Sequence, residues 1–446
     1  MRSLRMWSLV MAAVSSGVWG APLAYAQDEA RIQKLEQKLE SLDQELRIVK
    51  RQLENERESA TNKAKETAVV VASKDGFALQ SADKNFQLKV KGYIQADGRF
   101  FAGNEPANST FLSRRVRPII DGVLYKDYEF RLMPDFGNGT TALVDAYIDA
   151  NYWKELKFRV GKFKAPVGLE RLQSVTDDPF VEFGMPVNLY PNRDTGAQVS
   201  GDLFDNSVSY ALGIFNGTTD AGSTDLDTDD DKDLAFRVFA QPFKQVGIEP
   251  LEGLGVGVAT TYGHREGTPS SYRTPGQQNF FSYRSDTFND GVHKRIVPQA
   301  AYYWGPLGVL AEYANTSQKL KRGGVTDNVD AWSWQIATSY ILTGEDNSYK
   351  GIKIRHPFSL QEGTWGAAEA VARFSSLWVD GDVLDTFANP TTAANRADEF
   401  TVGLNWHLNK NVKWMTDYSH TSFNRGDING DRDNENVIIA RLQLVY

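Results

Sequence analysis

Between Lys84 and Arg171 the chain carries 15 Lys and Arg against 10 Asp and Glu, a local excess of five cations within a net charge of -8. Lys89, Lys91 and Arg99 fall on one parity of the segment FQLKVKGYIQADGRF, together with Tyr93. Arg115 and Arg117, then Arg131, then Lys157 and Arg159 sit at similar alternate positions further on, and Arg114, Asp145, Lys164 and Arg171 complete the set. Alternate residues of an extended strand share one face, so the pattern makes a ladder of guanidinium and ammonium groups along one side of a sheet. The planar arginine fork can donate two hydrogen bonds at once to a phosphate or carboxylate. Facing water between low-dielectric walls, such a ladder attracts anions, and a ladder releases them more readily than a cage. The same cations could instead pair with Asp97, Asp121, Glu129, Asp135, Asp145 and Asp149 to fill and brace the interior. For any single arginine both readings stand.

These residues need strands to hold them. From Phe86 to Tyr446 the hydropathy period is two, the mark of half-exposed strands. Phe86, Leu88, Val90, Ile94 and Ala96 oppose the cationic parity of their segment. Later examples are Phe158 and Val160 against Lys157 and Arg159, Val144, Ala146 and Ile148 against Asp145 and Asp149, and Val402, Leu404 and Trp406 against Asn405 and His407. Such segments start near Phe86, Phe111, Asp127, Ala142, Glu155, Thr195, Asn206, Lys232, Leu251, Val292, Pro306, Val329, Thr364, Arg396, Asn411 and Asn434. The pattern predicts an all-β fold, a 16-stranded antiparallel transmembrane β-barrel over 86–446. Tight links such as Tyr125-Lys126-Asp127 read as periplasmic turns, and polar links 216–231, 263–291 and 379–395 as external loops. Tyr152, Trp153, Tyr302, Tyr303, Trp304, Trp378, Trp406 and Trp414 lie near segment ends, as interfacial girdles do. The final segment NVIIARLQLVY ends on an aromatic with Ile438, Ala440, Leu442 and Leu444 on the same face. The run Lys157–Arg171 divides into wall as far as Val160, a hinge from Gly161 to Gly168, and the start of a long loop over 163–193, which the resemblance given below implies is folded inward.

The first 85 residues differ. Arg2 and Arg5, an apolar stretch and Ala24-Tyr25-Ala26 make residues 1–26 a signal peptide, leaving a chain of net charge about -10. Ile32, Leu35, Leu39, Leu42, Leu46, Val49 and Leu53 recur at steps of three and four, a heptad seam over 27–58. This is either one amphipathic helix against the barrel end or a parallel coiled coil, and Ile or Leu at both seam positions permits a trimer. Contact with the cell wall is open to the same segment. Residues 59–85 read as a linker with a short apolar patch.

Other chemistry is excluded or unsupported. The acidic balance argues against a nucleic-acid partner. The chain has no cysteine and 5 histidines, so thiolate metal sites are excluded, and it shows no paired-histidine zinc motif, phosphate-binding loop or nucleophile elbow. No enzyme, cofactor or metal site is implied. Asp220–Asp233 and Asp427–Glu435 read as solvated external loops, with calcium bridging to lipopolysaccharide as a lesser alternative. The second lacks the glycine and terminal acid of a calcium loop, having Arg432 and Ile438 at those places.

The segments FQLKVKGYIQAD, FLSRRVRP, LYKDYEF, LKFRVGKFKAPVGLER, AFRVFAQPF, SYILTGE, EFTVGLNWHLN and ARLQLVY resemble the phosphate- and polyphosphate-selective porins of the Gram-negative outer membrane. The resemblance spans Phe86 to Tyr446. It implies a trimeric sixteen-stranded channel for small inorganic anions, seated in outer-membrane lipid and lipopolysaccharide and narrowed by an inward third loop. Arg114 and Arg115 match the family's arginine pair, Asp145 its constriction aspartate, and Arg171 stands where the family has lysine after Gly-Leu-Glu. Two positions depart: Tyr93 replaces an arginine, and Val181-Glu182-Phe183 stands where a further arginine is expected. Tyr93, Phe100 and Phe101 leave open an aromatic rail for sugars, and the heptad segment leaves open a tether with the barrel as its anchor.

Overall fold

The computed structural model describes residues 22–66, 68–73, 76–103, 107–223, 225, 227, 229–381 and 384–446. Residues 1–21, most of the expected signal peptide, lie outside them. The chain forms two compact units, divided after Thr67. The first is one helix, α1, Pro22–Glu66. It starts on proline, which has the fixed φ of a first helical residue, and no further Pro or Gly interrupts it. All seven seam residues from Ile32 to Leu53 are exposed in the single chain. The helix overruns the expected linker. Residues 69–80, also assigned to that linker, form a hairpin of Val69–Ser73 and Gly76–Gln80 whose second strand pairs with the start of the barrel.

The second unit is a closed barrel of sixteen antiparallel strands. They are β1 (Gln87–Phe101), β2 (Thr110–Leu124), β3 (Tyr128–Asp135), β4 (Ala142–Ala150), β5 (Lys157–Lys164), β6 (Arg193–Leu203), β7 (Val208–Phe215) and β8 (Asp233–Ala240). The second half holds β9 (Leu254–Gly267), β10 (Phe288–Trp304), β11 (Leu307–Arg322), β12 (Val325–Ile341), β13 (Ala367–Val379), β14 (Ala394–His407), β15 (Val412–Asp427) and β16 (Glu435–Val445). β16 closes on β1, from Val437 opposite Phe101 to Val445 opposite Tyr93. Closure leaves no unpaired edge, which a sheet in hydrocarbon requires. Tyr125 and Lys126 both have positive φ, the geometry of a tight hairpin turn. Long connections gather at the opposite end from Tyr446, with two exceptions, 241–253 and 342–366, which share the end of the short turns.

The alternating pattern survives as an inside and an outside. Ile94, Ile148, Val160, Leu212, Ile336, Leu404 and Ile438 are exposed on the outer face, while Gln95, Asp97, Arg99, Arg373 and Arg441 are buried within. Register shifts interrupt the pairing of four strand pairs, β1–β2, β3–β4, β10–β11 and β14–β15. At the first, Gln95 pairs with Arg115 and Ala96 with Ser113, so Arg114 is skipped. At the second, Met133 pairs with Asp145 and Pro134 with Leu143, so Val144 is skipped. Val144, expected to face out, is buried with Tyr93, Ile119 and Met133. Tyr303, expected in a girdle, faces the interior beside Ser339 and Asn347. Phe100 faces outward against Phe111, so the proposed aromatic rail loses one member.

At Gly161, opposite Tyr147, β5 adopts φ +129 and a Cβ would strike the Ala146 carbonyl oxygen. The wall runs on to Lys164, so the hinge begins after the expected Gly161. Gly161→Val should cost about 2–4 kcal/mol of unfolding free energy, read as a lower denaturant midpoint of the detergent-solubilised barrel. An unchanged midpoint would refute the close approach of β4 and β5.

Candidate functional site

The connection 165–192 between β5 and β6 folds into the barrel and divides it. It contains a helical turn, Leu169–Leu172, and a 3-10 turn, Met185–Leu189, with Val167, Leu189 and Tyr190 fully buried. A loop away from bulk water must find partners for its backbone groups. Here wall side chains supply them. Gln443 donates to the Thr176 carbonyl (3.0 Å), Lys413 to Asp178 (3.0 Å), Asn405 to Pro179 (2.7 Å), Arg441 to Val181 (2.6 Å) and Arg373 to Glu182 (2.9 Å). Asp417 accepts from the Val181 N–H at 2.7 Å, and Glu312 accepts from the N–H groups of Leu169 and Glu170. Gly184 lies so close to the wall that a Cβ there would collide with Gln335. From the loop end of the barrel, Tyr272, Phe280, Phe281 and Phe387 pack on the same turn. From the other end Tyr349, in the connection 342–366, donates its hydroxyl to the Leu169 carbonyl (2.6 Å).

Two chambers flank the loop. One, about 470 Å³, opens toward the long loops and is lined by Arg114, Arg115, Arg117, Arg171, Glu182, Phe183 and Arg273 among others. The other, about 440 Å³, opens toward the short turns and includes Tyr93, Arg131, Asp145, Tyr147, Lys157, Arg159 and Arg237. Lys164, Val175 and Arg193 line both. These three residues therefore mark where the chambers meet. Arg193 Nε is held by Asp145 at 2.8 Å. Lys164 Nζ donates to the Gln173 carbonyl at 2.7 Å and has no carboxylate within 4 Å among the described residues.

The structure sorts the candidate residues. Lys89 is exposed at the rim, where it pairs with the hairpin, and Lys91 binds Asp121 at 2.6 Å. Neither lines a chamber, nor does Arg99, which binds Glu182 at 2.8 Å. Three further cations of the ladder are bridged to wall acids: Arg131 to Asp121 (2.7 Å), Lys157 to Asp202 (3.0 Å) and Arg159 to Asp149 (2.6 Å). Arg117 is held by Asp135 (2.7 Å) and donates to the Tyr93 hydroxyl (2.8 Å). For these the bracing reading holds alongside the lining. The first bulge turns both Arg114 and Arg115 into the loop-end chamber. Arg171 is buried there without an ion pair among the described residues, donates to the Val187 carbonyl (3.2 Å), and its guanidinium lies 4.7 Å from the centre of the Phe183 ring.

Glu182, read in the sequence only as a missing arginine, binds the arginine pair. Arg114 Nε reaches its Oε1 at 2.6 Å and Arg114 Nη2 its Oε2 at 3.1 Å. Arg99 Nη2 lies at 2.8 Å, Arg441 Nη2 at 3.6 Å and Arg115 Nη2 at 4.0 Å. Burial alone would push the Glu182 carboxyl up, but Arg114 and Arg115 outweigh it and hold the group well below the usual carboxylate range. Arg193, Arg373 and Arg441 escaped the sequence reading because they lie on later strands, outside the stretch of local positive charge. Asp220 and Asp233, expected in a solvated loop, are buried and bind Arg295 (2.7 Å) and Arg265 (2.8 Å). No cluster with metal-site geometry occurs among the described residues.

A sixteen-stranded barrel whose third connection at the long-loop end folds inward to a charged waist is channel architecture. Among solved structures the chain is similar to the outer membrane channel DcaP of Acinetobacter baumannii, with a TM-score of 0.55 at 10% identity, covering 84% of this chain and 99% of that one. It is also similar to OmpT of Vibrio cholerae in a trimer form, with a TM-score of 0.52 at 11% identity, covering 81% and 99%. Both likenesses concern the fold. Porin O of Pseudomonas aeruginosa is 26% identical over 424 residues, 85% of this chain and 92% of its own. The family model described as phosphate-selective porin O and P matches residues 88–446, so the chain belongs to that family and is an outer-membrane porin.

Proposed function

We propose that this porin passes small inorganic anions, phosphate among them, through the opening at Lys164, Val175 and Arg193. The observation that carries the reading is Lys164, a cation lining both chambers whose ammonium group has, among the described residues, only a backbone carbonyl as its hydrogen-bond partner. Arg171 extends the positive surface on the loop side and Arg237, hydrogen-bonded to the neutral Gln299, on the other. The family description supports phosphate as a solute. Arg131, Lys157 and Arg159 shape the approach while held by their acids. A sugar path has less support, since Phe100 faces outward and Tyr93 is tied to Arg117.

Residues 1–26 serve as the export signal in this reading. Three copies associate in outer-membrane lipid and lipopolysaccharide, with α1 as a periplasmic coiled coil that can also reach the cell wall. The exposed seam from Ile32 to Leu53 supports this, as does the trimer form of the structurally similar OmpT.

In planar bilayers under a KCl gradient, the reversal potential is expected to have the anion sign. Lys164→Ala should move it toward zero and raise the phosphate concentration that halves the current by about tenfold. A cation sign for the native channel would overturn the anion reading, and an unmoved K164A would reassign the opening. Deleting residues 28–58 should leave single-channel conductance unchanged while reducing the proportion of trimers in detergent by light scattering. Unchanged trimer content would remove the coiled coil from assembly.

A further inference from the structure

We propose that Glu182 is a built-in counter-anion: its carboxylate occupies an arginine nest that would otherwise bind dissolved oxyanions, and so sets the anion preference of the pore. The inference rests on the anion reading above and adds the residue that limits it. Arg99, Arg114, Arg115 and Arg441 converge on Glu182 from three neighbouring strands, β1, β2 and β16. Arg114 grips both carboxylate oxygens, the two-point geometry that guanidinium offers to any planar or tetrahedral oxyanion. The Glu182 side chain is 1% exposed, so the nest is filled. Being part of the chain, this carboxylate competes at an effective concentration that a dilute solute does not reach.

Position alone does not account for the group. The loop is already fixed at this point through its backbone. Arg373 Nη1 holds the Glu182 carbonyl, Arg441 Nη1 holds the Val181 carbonyl and Asp417 holds the Val181 N–H. The carboxylate adds charge where the backbone contacts already supply attachment. It does not balance the nest either. With Asp97 bound to Arg441 at 2.7 Å, two acids face four arginines, and Arg99 Nε is buried with no hydrogen-bond partner among the described residues. Two of the four, Arg114 and Arg115, line the loop-end chamber beside Glu182. Removing the internal carboxylate therefore exposes guanidinium groups to solute in that chamber.

The test uses the full-length channel in planar bilayers, with reversal potential in a KCl gradient and the inorganic phosphate concentration that halves the KCl current as readouts. Glu182→Gln, similar in shape, is expected to shift the reversal potential further to the anion side and lower the half-blocking phosphate concentration about tenfold. Glu182→Asp, which keeps the charge, should stay near the native values. Native behaviour in E182Q overturns the proposal. So does an equal loss of selectivity with raised conductance in E182Q and E182D, the signature of a mere strut. Glu182→Ala is the second variant should E182Q not assemble: formate, but not formamide, should return its reversal potential to the native value, and no response to formate overturns the proposal. A native channel of cation sign whose E182Q variant still moves toward anions would sink the anion reading while sustaining the role of Glu182.

Discussion

Beyond its two short helical turns the inward loop pairs little of its backbone with itself, and the waist of the barrel is built around that. A strand in the wall satisfies its N–H and C=O groups on its neighbours, but residues 165–192 leave the wall and enter a confined interior. Each unpaired peptide group there costs about 1–3 kcal/mol. The wall answers with long polar side chains: Arg373, Lys413, Asn405, Arg441 and Gln443 donate to loop carbonyls, and Glu312 and Asp417 accept from loop N–H groups. Much of the lumenal charge is thereby committed to holding the divider in place, before any solute is considered.

Charge committed in this way must be matched locally. Buried ions without partners are far more costly than surface ones, and the barrel meets the requirement by short-range pairing. Arg373 binds Glu399, Arg441 binds Asp97, Arg193 binds Asp145 and Arg295 binds Asp220. An abundance of arginine in the sequence is consequently a poor measure of the field a passing ion meets. What matters is the cation whose neighbour is neutral. Lys164 beside a carbonyl and Arg171 beside a ring and a carbonyl meet that condition, whereas Arg131 and Arg159, on the same inner surface, have their acids directly across the strand pair.

The barrel was legible in the sequence because strand periodicity depends on the contrast between lipid and water, which every second residue records. The expected strand starts fall within a few residues of the observed ones, and closure through the terminal strand follows the exposed parity of Ile438, Leu442 and Leu444. The bulges were not legible. Skipping Arg114 and Val144 needs only one extra residue in one strand, and this leaves the overall period intact while reversing a side chain. Pairing was half legible. Of the acids that the bracing reading names, Asp121, Asp135 and Asp149 pair with cations of a neighbouring strand, whereas Asp145 reaches past β5 to Arg193 and Asp97 binds Arg441, distant in sequence. Glu182, Arg373 and Arg441 are far apart in the chain and meet only because the loop crosses the lumen, which no local pattern encodes. The 342–366 connection was hidden for the same reason, its Tyr349 making sense only beside Leu169.

A lysine at the proposed opening fits what conduction demands. A free arginine fork there would hold an oxyanion by two bonds, and tight binding at one site slows departure, but the fork of Arg193 at this point is engaged by Asp145 and Asn192. The ammonium of Lys164 is a compact, strongly hydrated point charge that favours an anion without fixing its orientation. The fork-shaped groups stand on either side of it, and those with the greatest convergence, at Glu182, are already occupied. Attraction is thus spread along the two chambers while no single point closes into a cage. In the proposed path an anion moves from the Arg171 side past Lys164 toward Arg237, exchanging one weak partner for the next, and the internal carboxylate keeps the strongest trap on the route from competing with passage.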